Sequence, residues 1–143
     1  MKQTVLVLCV HNSARSQMAE EYIRLGCGDS FDVESAGLEP GSVNPRVVQV
    51  LAEDGIDISQ KTTRSVHDLH AQGRCFDYVI AVCSKEAEEK CPVFPGKFQK
   101  LHWPFDDPSA VTGTDEEKLE ETRRIRNQIK EKVRLFCSNY CGD

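Results

Sequence analysis

The chain has 143 residues, 39% of them hydrophobic and 29% charged, enough for one buried core over 1–143 and too apolar for a disordered polypeptide. A formal net charge of −5 argues against nucleic acid or an anionic membrane as the main partner, although a small basic pocket can still hold an anion. No stretch reaches transmembrane length; the first apolar run is too short for a secretory signal and no small-residue cleavage site follows it, so a cytoplasmic protein is expected.

In chain order, "TVLVLCV" is a continuous apolar run, as expected of a strand buried on both faces. "ARSQMAEEYIRLG" has helical spacing and ends at Gly26, a candidate C-cap. "FDVESAG" alternates as a strand does. "NPRVVQVLAEDG" reads as a helix with Asn44 as N-cap, Pro45 at the first position and Gly55 as terminator. "FDYVIAVC" is a second buried strand and "FQKLHWPF" a weaker one. Thr114 and Glu117 form a capping box before a long helix, which carries Leu119, Ile125, Ile129, Val133 and Phe136 on one stripe. Strands alternating with helices predict an α/β domain: a four-stranded parallel sheet with helices on both faces and right-handed crossovers.

In such sheets ligands bind at the carboxyl ends of the strands. Cys9 ends the first strand, Cys83 ends "YVIAVC", and "FDDP" (105–108) ends the last, so these residues are expected at one edge. The turn after Cys9 aims backbone N–H groups inward at a helix N-terminus, and Arg15 adds a planar cationic fork suited to a tetrahedral oxyanion. The expected oxyanion-binding loop is Val10, His11, Asn12, Ser13, Ala14 and Arg15. In that field the Cys9 thiol is expected to ionise more readily and act as a nucleophile, with the Ser16 hydroxyl donating to the thiolate. The plainer reading makes Cys9 a small buried hydrophobe and Arg15 a solvent-facing helix residue.

Cysteines stand at 9, 27, 75, 83, 91, 137 and 141, an odd number without a secretion signal, which does not read as a structural disulfide framework. With no CxxC pair and four histidines outside ligand spacing, no metal is predicted. Cys27 and Cys75 sit beside turns; they are read as structural and are assigned no function. Cys137 and Cys141 share a helix face at i,i+4; a metal, an accessory disulfide and coincidence all fit that spacing, and they are read as incidental. His67, His70 and His102 are taken as surface or satisfied core residues, and Trp103 as packing near the last strand's end.

Cys9, five residues, then Arg15–Ser16 after the first strand, with Asp107–Pro108 late in the chain, resembles the low-molecular-weight tyrosine phosphatase fold. "CSKEAEEKCP" and "HWPFDDP" move the likeness to its redox branch, the thioredoxin-coupled arsenate reductases; "SAG", "VNP" and "GIDIS" extend it over nearly the whole chain. The resemblance implies that Cys9 attacks arsenate held by the loop and Arg15 while Asp107, as general acid, helps water leave. It further implies that Cys83 attacks Cys9 and releases arsenite, that Cys91 attacks Cys83, and that thioredoxin reopens Cys83–Cys91, with no bound cofactor. A phosphatase using only Cys9, Arg15 and Asp107 is the alternative; Ser109, Ala110 and Val111, where such phosphatases carry tyrosines, weaken it. A non-catalytic thiol or metal module is the rival from another class. Two departures stand in the loop: His11 where relatives often have Gly, read as a partly exposed loop residue, and Ala14 where many have Cys. Some relatives bind potassium beside the loop. Asn12, Glu20 and Ser35 match three ligand positions, but Arg64 stands at the fourth, so no potassium is expected and Arg64 or its guanidinium is expected to fill that role.

Overall fold

The structure is a computed structural model and describes residues 3–83, 89, 90, 94 and 96–141. Cys91 and part of the stretch before it lie outside the described residues, so nothing here bears on the expectations for them. Four strands, β1 (Gln3–Cys9), β2 (Phe31–Gly37), β3 (Tyr78–Ala81) and β4 (Gln99–His102), form one parallel sheet in the order β2-β1-β3-β4. Among the described residues the helices are α1 (Arg15–Cys27), α2 (Pro45–Ala52), α3 (Val66–Ala71) and α4 (Asp115–Cys141), with a 3-10 turn at Pro108–Ala110. This is the α/β architecture expected from the alternating pattern.

β1 is central, and Val5, Leu6, Val7 and Leu8 are all fully buried, which is why both parities of that strand are apolar. Its chain continues to β2 on one side while β3 lies on the other, so the crossovers diverge at the β1/β3 boundary and leave a crevice there. Register aligns Cys9 with Gly37 and Leu8 with Ala81. The carboxyl ends of β1 and β3 therefore flank one crevice.

Capping follows the side chains. Asn44 Oδ1 accepts the Arg46 N–H at 2.9 Å ahead of Pro45, and Thr114 and Glu117 exchange the reciprocal bonds of a capping box at 3.0 and 3.1 Å. Ile125, Ile129, Val133 and Phe136 are buried along α4. Three boundaries differ from expectation. α1 runs past Gly26 and ends with the Gly28 N–H on the Arg24 carbonyl; Gly26 is interior to it, where a Cβ would stand 3.2 Å from Cys137 Sγ. α3 was not anticipated, being six residues long, although Ser65 caps it at the His67 N–H. β3 stops at Ala81, two residues before Cys83.

Candidate active site

The loop after Cys9 is held from outside by the segment that follows β2. The carbonyls of Val10, His11 and Ser13 accept from the N–H groups of Glu39, Gly41 and Asn44 at 2.7, 3.1 and 2.9 Å. With those carbonyls committed outward, the N–H groups of Val10 and Ser16 point at the Cys9 sulfur. Gly37 makes this approach possible: a Cβ there would lie 2.7 Å from the Val10 carbonyl oxygen and 2.8 Å from the Asn12 nitrogen. Asn12 has φ of 55°, a left-handed conformation that asparagine tolerates better than most residues, and is wholly buried. Its Nδ2 donates to Ser16 Oγ at 2.8 Å and Ser35 Oγ at 2.9 Å, and its Oδ1 accepts from the Arg64 N–H at 2.9 Å. Gln17, which the sequence reading passed over, donates from Nε2 to the Asn12 carbonyl at 2.9 Å and to Asn12 Oδ1 at 3.2 Å. The loop is thus fixed by side chains from α1 and β2 and by the main chain of the approach to α3. His11 is exposed, with Nδ1 2.9 Å from the Glu39 carbonyl oxygen.

Arg15 opens α1, and no side chain caps that helix, so its first N–H groups add to the anion-favouring field. The Arg15 side chain is buried rather than solvent-facing. Nη1 donates to the Phe105 carbonyl at 3.0 Å, Nη2 lies 3.6 Å from Asp107 Oδ2, and Nε has no acceptor among the described residues. A buried guanidinium with a donor to spare suits an oxyanion. Asp107 Oδ1 accepts the Ser109 N–H at 2.9 Å, and its side chain is about one-third exposed at 32%. The N-terminal end of α2 clamps this turn: Asn44 Nδ2 donates to Ser109 Oγ at 2.9 Å and Arg46 Nη2 to the Pro108 carbonyl at 3.1 Å. Asp106 points away, toward Arg124 at 3.2 Å, in keeping with its reading as a turn residue.

One electrostatic expectation is corrected. Burial pushes the Cys9 thiol above its ordinary value, and this outweighs the Arg15 charge and the N–H groups of Val10 and Ser16, which pull it down. Asp107 adds to the upward shift. The cation and amides lower the cost of a thiolate that a buried strand end would otherwise forbid, but they do not create a standing one.

Cys83 is buried just past β3, beside the end of β1, and like Cys9 it is a thiol. Cys75 is an exposed thiol. Cys27 and Cys137 form a disulfide between the last residue of α1 and the last turns of α4, with Cα atoms 5.6 Å apart. Cys137 is therefore not incidental, and its partner is Cys27. Among the described residues no group of three or more His, Cys, Asp or Glu side chains is arranged to hold a metal ion. No described helix is long and apolar enough to cross a membrane.

The expectation for Arg64 also fails. Its guanidinium binds Glu34 at 2.6 Å, while its backbone N–H serves Asn12. The cations on buried Glu20 are Lys61, with Nζ 2.9 Å from Oε1, and Arg24. Ser35 Oγ donates to the same Oε1. Burial alone would raise the Glu20 pKa, but the Lys61 charge and the bonds from Ser35, Arg24 and Lys61 bring it below the usual carboxylate value. A chain of contacts thus runs from Lys61 through Glu20, Ser35 and Asn12 to Ser16.

Residues 4–140 match the family described as low molecular weight phosphotyrosine protein phosphatase. A protein named arsenate reductase from Halalkalibacterium halodurans is 41% identical over 135 residues, covering 94% of this chain and 95% of that one. Among solved structures, an arsenate reductase in its oxidised state aligns with a TM-score of 0.79 at 29% identity, over 96% of this chain and 98% of that chain. A thioredoxin-dependent arsenate reductase from Corynebacterium glutamicum aligns at 0.64 and 29% identity, over 94% of this chain and 63% of that one. The chain belongs to the low molecular weight phosphotyrosine protein phosphatase family.

Proposed function

We propose that this protein is an arsenate reductase that uses Cys9, Cys83 and Cys91 in turn and is regenerated by thioredoxin. The observation that carries the reading is a buried Arg15 with an uncommitted Nε, facing a loop whose N–H groups converge on Cys9, with Cys83 at the neighbouring strand end. The arsenate reductases that this chain resembles support it, and the thioredoxin dependence of the Corynebacterium relative supports the choice of reductant.

In the first step a Cys9 Sγ–As bond forms and an As–O bond breaks. The oxygen leaves as water, taking the proton lost by the thiol, with Asp107 delivering it. Burial holds the Cys9 thiol above its ordinary value, so the proton it gives up is counted within this step. Cys83 thiolate then attacks Cys9 Sγ; the S–As electron pair stays on arsenic, which passes from arsenic(V) to arsenic(III), and a Cys9–Cys83 disulfide remains. Cys91 thiolate attacks Cys83, restoring Cys9, and the thioredoxin dithiol reduces Cys83–Cys91. A relay that ends on thioredoxin belongs in a reducing compartment, so we assign the protein to the cytoplasm.

The test is arsenate-dependent NADPH oxidation with thioredoxin and thioredoxin reductase. Sustained turnover that vanishes in Cys83→Ser, with aryl phosphate hydrolysis retained, is expected. Aryl phosphate hydrolysis without any arsenate turnover would make the protein a phosphatase using Cys9, Arg15 and Asp107.

A further inference from the structure

Resting on the reductase reading, we propose that His102 is a positioning residue for Cys83: its ring holds the main chain of the second thiol at the crevice after the sheet has ended. The bonds between β3 and β4 follow parallel spacing, with the Gln99 N–H on the Asp77 carbonyl and the Trp103 N–H on the Ala81 carbonyl. The next rung of that ladder would set the Phe105 N–H on the Cys83 carbonyl. Pro104 intervenes, β4 ends at His102, and the Phe105 carbonyl is carried off to Arg15 at 3.0 Å. The Cys83 carbonyl is met instead by His102 Nε2 at 2.7 Å. An acceptor carbonyl fixes this nitrogen as the protonated one.

The same departure of the chain therefore does two things. It brings Phe105 and Asp107 to Arg15, and it takes the Phe105 N–H away from the rung it would have made with Cys83. His102 meets the Cys83 carbonyl at that rung from a side chain, one residue before the one that bonds Ala81. Cys83 is the residue whose sulfur must reach Cys9 in line for exchange, and a backbone shift of about 1 Å at such a site is enough to cost roughly a hundredfold in rate. Cys9 itself gains nothing from His102, because its own loop is held by Gln17, Asn12 and the segment after β2.

The experiment compares wild type, His102→Leu and His102→Gln, since glutamine keeps an N–H donor at a similar reach. Arsenate turnover with thioredoxin should fall at least about tenfold in His102→Leu and recover for the most part in His102→Gln, while aryl phosphate hydrolysis stays within about twofold in both. In parallel, iodoacetamide labelling of Cys83, read peptide by peptide in the mass spectrometer, should quicken several-fold in His102→Leu and return toward wild type in His102→Gln. Unchanged arsenate turnover in His102→Leu, or loss of both activities together without rescue by glutamine, would overturn the proposal. If wild type itself reduces no arsenate, the reductase reading fails and the labelling decides alone: faster Cys83 labelling that glutamine reverses supports positioning, and an unchanged rate refutes it.

Discussion

Two cysteine pairs are brought together from distant parts of this chain, both against the core, and the electrostatic fields around them differ in sign. Cys9 and Cys83 sit at neighbouring strand ends, in a crevice where Arg15, an uncapped helix N-terminus and inward N–H groups all favour negative charge. Cys27 and Cys137 sit at the carboxyl-terminal ends of α1 and α4, where the helix dipoles favour positive charge and a thiolate is disfavoured. On the proposed reading the first pair passes a bond on. The second is set to keep one, closing a loop with a sequence separation of 110 residues. Proximity alone makes neither a relay nor a staple; the local field decides.

The largest effect that would test this contrast is on stability. Cys27→Ala removes a cross-link whose loop-closure contribution is about 5 kcal/mol on chain-entropy grounds. Urea unfolding of the oxidised wild type should show a clearly higher midpoint than either the reduced protein or Cys27→Ala. Activity at 25 °C should change by less than about twofold, because the staple lies far from the crevice. An unchanged midpoint would mean that the bond strains the folded state as much as it restricts the unfolded one. Lost activity at full stability would mean that α1 transmits the staple to Arg15.

The next effect lies at the other pair. Arg15→Lys keeps the charge but removes the fork, leaving the Phe105 carbonyl and Asp107 without their planar partner. A fall of roughly a hundredfold or more in kcat/KM for arsenate is expected, the scale of losing one preorganised oxyanion donor. Urea stability should move far less than in Cys27→Ala. A variant within threefold of wild type would show that charge suffices and that the orphan Nε has no part in binding.

How much of this was legible beforehand follows from whether the signal was local. The Cys9 loop, the Asn44 cap, the capping box at Thr114 and the α4 stripe are contiguous patterns, and each stands where the sequence put it. The gathering of Cys9, Cys83 and Asp107 at one edge needed only strand direction. What escaped was non-local. Gly37 matters because its missing Cβ admits the loop, which no single-strand pattern announces. Gln17 reads as an ordinary polar helix residue until the Asn12 carbonyl is seen above it. The Cys27–Cys137 pairing could not be picked out among seven cysteines, and the thiol shift at Cys9 went the other way because burial there was underestimated.

The replacement of Arg64 by Lys61 as the partner of Glu20 gives the smallest of the three expected effects and the one with a pH signature. Glu20 is held below the usual carboxylate value, so its contribution to stability is present above the unfolded value and is lost as pH falls through the folded one. Lys61→Met removes the largest of the influences that lower it, while Arg24 and Ser35 remain. The deficit relative to wild type should be about 1–3 kcal/mol at pH 7, the scale of leaving a buried polar group short of a partner. As pH falls through the folded value, Glu20 takes up its proton and the two proteins should converge. Urea midpoints taken at pH 7 and at a pH below that folded value check this. A deficit of equal size at both would show that Lys61 acts through the packing of its aliphatic stem. The loop would then owe its order to Asn12, Gln17 and the segment after β2, and the contacts from Lys61 to Ser16 would carry no energetic coupling.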